Sequence, residues 1–381
     1  MSRPDRSKIR RVLMTTDTLG GVWNYAVDLT RALSRQGIEV ILATMGAPPS
    51  PALRDQISRL PHVELRESRY RLEWMEDPWD DVARAGDWLL RLETKLRPDI
   101  VHLNGYAHGT LPWRAPALVT GHSCVLSWWA AVRKQEAPAE WDRYREHVAA
   151  GLRAASLITT PTQAMLEDLR RIYGAPRAWR VIPNGRELDH FGPARKEPVV
   201  FAAGRLWDEA KNIRALDRVA FHLPWPVYVA GDNRHPDGGG FHAANVRPLG
   251  WLSSSQLAQW YARSSIYALP AKYEPFGLTV LEAAMSECAL VLGDIPSLRE
   301  NWDGAALFVP PDDHLALGAA VVDLIGNPSL RLELARRARA RAARFTVASM
   351  AEAYLDSYRW LLREHRPAGQ AEKESAIAAL N

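Results

Sequence analysis

Residues Ser264–Asp294, SSIYALPAKYEPFGLTVLEAAMSECALVLGD, hold a complete folding unit. SIYALP is a continuous apolar run of strand length, and YEPFG is a turn carrying Pro275 and Gly277. LTVLEAAMS then has helix length, and ALVLGD is a second apolar run. A continuous apolar run, as opposed to an alternating one, is how a strand buried on both faces reads. Strand, helix and strand in that order predict a parallel crossover unit.

The same punctuation recurs on both sides of this stretch. RVLMTT, VILATM, IVHLNG, ALVTGHS, SLITTPT and RVIPNG lie upstream, and VVFAAGR, VYVAGD and ALFVP complete the second half. Amphipathic stretches such as Val22–Arg35, Asp80–Leu96 and Gln163–Tyr173 separate them. The fold class is therefore α/β with parallel sheets. The runs are too many for one ordinary sheet, and 381 residues suffice for two domains, each with its own core. The break is expected near Leu188–Pro198, within GRELDHFGPARKEP, which is polar, contains Gly and Pro, and has neither period.

A hydrophobic content of 47% with 24% charged residues excludes disordered and fibrous classes. The formal net charge of +4 favours anionic ligands mildly and does not call for nucleic acid. Cys124 and Cys288, the two cysteines, are far apart and lack metal-ligand spacing, so no disulfide framework or zinc site is expected. Met1–Arg11 is polar and basic with no signal-peptide core behind it, and no apolar run has the length of a bilayer span. A cytoplasmic location is expected, and membrane contact is not indicated. The Arg-rich stretch Asn327–Arg344 reads better as a solvated helix face than as a patch for lipid or nucleic acid.

In parallel sheets, ligands sit beyond the carboxyl ends of strands, so the residues after each run carry the chemistry. Gly20 and Gly21 follow the first strand and let backbone amides approach a phosphate at a helix start. Alone, they fit a plain strand-to-helix turn equally well. In GRLWDEAKN, Arg205 and Lys211 flank a short loop after a second-half strand and could converge on one anion. Alone, a salt-bridge cluster with Asp208 and Glu209 explains them better. Tyr273–Ser286 is the most informative stretch. The amides of Phe276, Gly277 and Leu278 open a helix and face a phosphate. Glu282, one turn in, is placed to accept both hydroxyls of a ribose, and Glu274 to hold the hydroxyls of the next group. Trp74 and Trp79, in RLEWMEDPWDD, read equally as stacking surfaces for an acceptor sugar or as loop anchors; Trp88, Trp128 and Trp129 read as anchors. The absence of G-x-G-x-x-G disfavours a nicotinamide dehydrogenase, and no Asp-x-Asp is present to suggest a divalent site.

The order of these elements, with GRLWDEAKN and EPFGLTVLEAAMS, resembles the GT-B glycosyltransferases, in particular the retaining glycosyltransferase family 4. The similarity runs from RVLMTTDTLGGVWNYAVDLTRAL through ITTPTQAMLEDL and VIPNG to the C-terminal helices. It implies two Rossmann-like domains with parallel sheets facing a central cleft. Expected units are 1–190 on the acceptor side, 191–345 for the nucleotide sugar, a helix 346–365 returning to the first domain, and a flexible tail 366–381. The resemblance assigns Glu274 to the transferred sugar, Glu282 to the nucleotide ribose, and Arg205 with Lys211 to the donor diphosphate. Gly20 and Gly21 would line the phosphate side from the first domain, and His122 in VTGHS corresponds to the family's histidine near the reacting sugar. No cofactor is implied: a nucleoside-diphosphate sugar serves as co-substrate, without metal, for a glycan, lipid-linked or small-molecule acceptor. The sequence departs from the family in two places. The Arg-to-Lys interval is one residue longer than usual, and GDIPSLRE replaces a Gly-Gly pair before Pro-Glu. The rival readings are a GT-B nucleotide-sugar epimerase, which needs acid/base carboxylates not apparent here, and a non-catalytic nucleotide-sugar-binding protein.

Overall fold

The computed structural model describes residues 9–18, 20–187, 191–233 and 240–365. The expected tail 366–381 and residues 188–190 of the expected domain break lie outside them. Two parallel sheets carry the chain. The first comprises β1 (Arg11–Thr16), β2 (Glu39–Thr44), β3 (Val63–Glu67), β4 (Ile100–Leu103), β5 (Ala117–Thr120), β6 (Leu157–Thr160) and β7 (Trp179–Val181). The second comprises β8 (Glu197–Ala203), β9 (Val227–Ala230), β10 (Arg247–Pro248), β11 (Ser264–Leu269), β12 (Ala289–Gly293) and β13 (Ala306–Val309). Their orders are β3-β2-β1-β4-β5-β6-β7 and β10-β9-β8-β11-β12-β13. Strand order therefore reverses direction between β1 and β4 in one sheet and between β8 and β11 in the other. Such a switch point opens a crevice at the carboxyl edge.

The continuous apolar runs are the strands buried on both faces: β11 and β12 are buried at every position. Three strands at sheet margins escape that pattern, among them β7, which has no buried residue. VELRE forms β3 at the sheet margin, half-buried and alternating in polarity, and β10 is a two-residue edge pairing containing Pro248.

In the first half the connecting helices are α1 (Gly21–Arg35), α2 (Pro51–Ser58), α3 (Trp79–Leu96), α4 (Val125–Val132), α5 (Asp142–Ala154) and α6 (Gln163–Tyr173). In the second half they are α7 (Ile213–Ala220), α8 (Ser254–Arg263), α9 (Leu278–Met285), α10 (Pro296–Trp302), α11 (His314–Gly326) and α12 (Pro328–Ala342). The arginines of α12 lie mainly on an exposed face, while Leu334, Ala335, Ala338 and Ala342 turn inward. None of the described helices is by itself long and apolar enough to cross a membrane.

The last helix, α13 (Val347–Glu364), leaves the second sheet and joins the core of the first: Met350, Tyr354 and Tyr358 share a cluster with Val12, Met14, Tyr25 and Leu29. A buried polar link adds direction to that packing. His102 of β4 meets the Tyr358 hydroxyl at 2.6 Å through Nδ1 and the Thr120 hydroxyl at 2.8 Å through Nε2.

The chain thus crosses between the sheets twice, and the crossings touch. Arg186 donates its backbone N–H to the Phe345 carbonyl at 3.0 Å and bridges Thr346. Gly185 is required by this approach, because a Cβ there would lie 2.1 Å from the Thr346 carbonyl oxygen. Gly185→Ala is therefore expected to destabilise the fold by about 1–3 kcal/mol or more. Chemical denaturation of the purified variant measures it, and an unchanged midpoint contradicts the close contact.

Candidate active site

The two switch points face each other, and their loops supply the site. Beyond β11 the chain reaches Tyr273, Glu274 and the Pro275–Gly277 turn. Gly277 caps α9 in the left-handed region at φ 88°, and a Cβ there would press on Val280 Cγ2 at 3.1 Å. No side chain caps α9, so its first amides remain directed at the cleft. Ser297, at the start of α10, donates its hydroxyl to the Glu274 carbonyl at 2.6 Å and fixes the turn.

Lys211 and Glu274 form an ion pair at 2.5 Å, with side chains only 15% and 12% exposed. The longer loop has therefore kept Lys211 in the site. It does so by folding Glu209–Lys211 into a single 3-10 turn capped by Asp208, whose carboxylate accepts the Ala210 N–H. Arg205 differs: it is 49% exposed, pairs with Asp208 at 2.7 Å and lies over the Trp207 ring. Burial pushes the Asp208 carboxyl up, but Arg205 and Lys211 outweigh it and hold the group below the usual range. Arg205 and Lys211 thus belong to neighbouring ion pairs, Arg205 with Asp208 and Lys211 with Glu274.

Glu282 points inward from α9 and is buried. It pairs with Arg186 at 2.7 Å, and Arg186 pairs with Asp28 of α1 at 2.5 Å. Burial holds the Glu282 carboxyl above its usual range, and the Arg186 guanidinium takes back only part of that shift.

From the first sheet, Gly20 caps α1 at φ 66°, and a Cβ on Gly21 would stand 3.6 Å from Leu278 Cδ1 of α9. The glycine pair and the α9 N-terminus therefore meet across the cleft. His122 follows β5 and packs edge-on against Tyr25 with ring centroids 4.5 Å apart. Its Nε2 lies 2.8 Å from Asn104 Oδ1, and Asn104 Nδ2 donates to the Thr15 carbonyl at 2.7 Å. That orientation of the amide makes Nε2 the donor and leaves Nδ1 as the open nitrogen. Burial lowers both His122 and His102 to about 3.

The His122 loop reaches the other sheet through Tyr273, whose hydroxyl accepts the Cys124 N–H at 3.1 Å and bonds Ser127 at 2.8 Å. Thr162 caps α6 and donates to the Pro275 carbonyl at 2.8 Å. Trp128, read as an anchor, anchors across the cleft: its indole N–H reaches Asp208 at 3.2 Å.

The structure separates the two loop tryptophans. Trp74 lines a small cavity at the carboxyl edge of the first sheet with Thr16, Asp17, Asn104 and His108. Glu73 holds it there by accepting the Tyr106 and Ala107 amides at 2.9 and 2.7 Å. Trp79 instead opens α3, stacked on His147 at 4.3 Å with Arg143 over its ring. Those contacts make it an anchor between α3 and α5. Arg186, Asp28 and Glu73 carry no strand-end signal that singles them out and emerge only from the fold, while Asn104 follows β4 and gains its meaning from His122.

Facing parallel sheets with a cleft between them are the GT-B architecture. Residues 19–190 match Glycosyltransferase Family 4, and residues 197–327 match Glycosyl transferases group 1. Together the two matches show that the chain is a glycosyltransferase whose first half matches family 4. It is 28% identical to the D-inositol 3-phosphate glycosyltransferase of Xylanimonas cellulosilytica, over 90% of this chain and 92% of the relative. It is 27% identical to the glycogen synthase of Mycobacterium tuberculosis, over 85% and 86%. In fold it is similar to sucrose-phosphate synthase from Thermosynechococcus elongatus, with a TM-score of 0.81 at 20% identity, covering 93% of this chain and 100% of that one. Anabaena HepE, solved in complex with UDP-glucose, gives a TM-score of 0.72 at 16% identity, covering 91% and 98%.

The buried histidines make stability depend on pH. Between about 3 and the ordinary 6.5, the unfolded chain binds protons that folded His102 and His122 refuse. Stability is accordingly lost as pH falls through 6.5, and the melting temperature is expected to drop between pH 7 and pH 5. A flat melting temperature over that window contradicts neutral burial of these rings.

Proposed function

We propose that this enzyme is a retaining, metal-independent glycosyltransferase that moves a sugar from a nucleoside diphosphate to an acceptor hydroxyl. The observation carrying this reading is the convergence, at one cleft, of the Lys211–Glu274 pair, the uncapped start of α9 and the buried Glu282 carboxylate. In this reading the ribose lies at Glu282, the diphosphate at the α9 amides with Lys211 and Arg205, and the sugar at Glu274. The anomeric C–O bond breaks with its electron pair leaving on the diphosphate. Two cations, largely buried Lys211 and half-exposed Arg205, and a helix N-terminus stabilise that charge. The acceptor oxygen bonds the anomeric carbon on the face that the diphosphate leaves, and its proton passes to the departing phosphate oxygen. His122, held neutral, serves as a hydrogen-bonding group beside the sugar and not as an acid.

The cavity at Trp74 and Asn104 is the proposed acceptor side, and Asn104 links it to His122. The names of the relatives make polyol phosphates and glucans the first acceptors to try. A panel of UDP-, GDP- and ADP-sugars, assayed for nucleoside diphosphate release with and without these acceptors, tests the reaction. Acceptor-dependent release in excess chelator is expected, and strict loss of activity with chelator contradicts the mechanism.

Lys211→Ala is expected to lower turnover by about a hundred- to a thousand-fold, as for loss of one preorganised charge stabiliser. Arg205→Ala is expected to lose less than Lys211→Ala, because Arg205 is half exposed. Near-normal transfer by Lys211→Ala removes that lysine from the diphosphate site. Trp74→Ala should leave nucleotide binding intact while transfer falls; parallel loss of both places the ring outside the acceptor side.

A further inference from the structure

Arg186 ties the two halves of the site together. It lies in VIPNGRE, in the first crossover between the sheets, where its backbone is fixed against Phe345. Its guanidinium spends one nitrogen on each of two acids: Asp28 Oδ2 of α1 at 2.5 Å and Glu282 Oε1 of α9 at 2.7 Å. The Arg186 side chain is 11% exposed, and the two acids are 6% and 5% exposed. Arg31, one turn along α1, holds the other Asp28 oxygen at 2.8 Å, so the four charges balance. A planar fork fixed at its root and committed on both prongs determines where each carboxylate points.

We infer that Arg186 is a positioning residue that holds the Glu282 carboxylate in its donor-binding orientation. Through Asp28 it ties that orientation to the placement of the first sheet. The inference rests on the ribose role proposed for Glu282. The charged and titratable groups facing Glu282 are Arg186 from the crossover, Asp28 from α1, Tyr261 from α8 and Tyr267 from β11. Arg186 is the cation among them, so without it two acids stand buried with weaker compensation. A ribose diol offers two O–H donors, which an ionised carboxylate accepts in full and a protonated one does not.

The test compares UDP, GDP and ADP with their 2′,3′-dideoxy counterparts by calorimetry on the full chain. The wild type is expected to prefer the ribose form of its nucleotide by about tenfold or more, the worth of one or two hydrogen bonds to a charged group. Arg186→Gln, checked for a cooperative melting transition, should erase most of that preference. As pH is lowered, its affinity for the ribose form should fall earlier than the wild type's, because Glu282 has lost the guanidinium that pulls its carboxyl down. Arg186→Lys, which keeps the charge and can serve one acid at a time, should fall between the two. Asp28→Asn slackens the anchor without removing the cation and should reduce the preference at least about threefold; it decides the matter if Arg186→Gln does not fold. A wild type that binds both sugar forms equally removes the ribose reading of Glu282 and the inference with it. A wild type that discriminates, alongside variants with the same preference, overturns the inference alone.

Discussion

The contact between the two chain crossings, Gly185–Arg186 against Phe345–Thr346, is the constraint on which the rest depends. It brings the exit from the first sheet and the return of α13 to within a backbone hydrogen bond of each other. With both crossings on one side, the sheets face each other by their carboxyl edges. Each edge has its switch point there, after β1 and β4 in one and after β8 and β11 in the other. The same loops would lie on unrelated surfaces if the crossings were apart.

Charge balance is the second organising feature. Each cation of the cluster has a carboxylate: Lys211 has Glu274, Arg205 has Asp208, and Arg186 has Asp28 and Glu282. These pairs are not equivalent. The Arg205–Asp208 pair is half exposed on the arginine side, where such pairs contribute about 0–1 kcal/mol, so Arg205 is easily recruited by an incoming phosphate. The Arg186 cluster is buried, and breaking a buried pair by removing one partner costs on the order of 3–5 kcal/mol. On the proposed function, the site combines a fixed carboxylate toward the ribose with a loosely held cation toward the leaving group.

Much of this was legible in the sequence because parallel strands leave a strong local record. SIYALP, ALVLGD and their neighbours are apolar on both faces, and the residues just after them are the cleft residues. VELRE was not legible, since a half-buried marginal strand alternates and resembles a surface loop. Arg186 was hidden for a different reason: its meaning comes from Asp28, 158 positions away, and from Glu282 in the other half of the chain. Trp74 and Trp79 sit in one polar stretch and differ only in tertiary partners, the first pinned by Glu73 beside a cavity and the second stacked on His147. Composition cannot separate them. The extra residue in GRLWDEAKN was visible, but only the 3-10 turn at Glu209–Lys211 explains why Lys211 still meets Glu274.

The central claim is that one nucleoside diphosphate spans the α9 N-terminus, with its ribose on Glu282 and its phosphates on Lys211 and Arg205. A crystal structure of the protein with its preferred nucleoside diphosphate tests this most directly. The account predicts both ribose hydroxyls within hydrogen-bond reach of the Glu282 carboxylate and phosphate oxygens on the amides of Gly277 or Leu278. A nucleotide seated elsewhere, with Glu282 still closed off by Arg186, would contradict it.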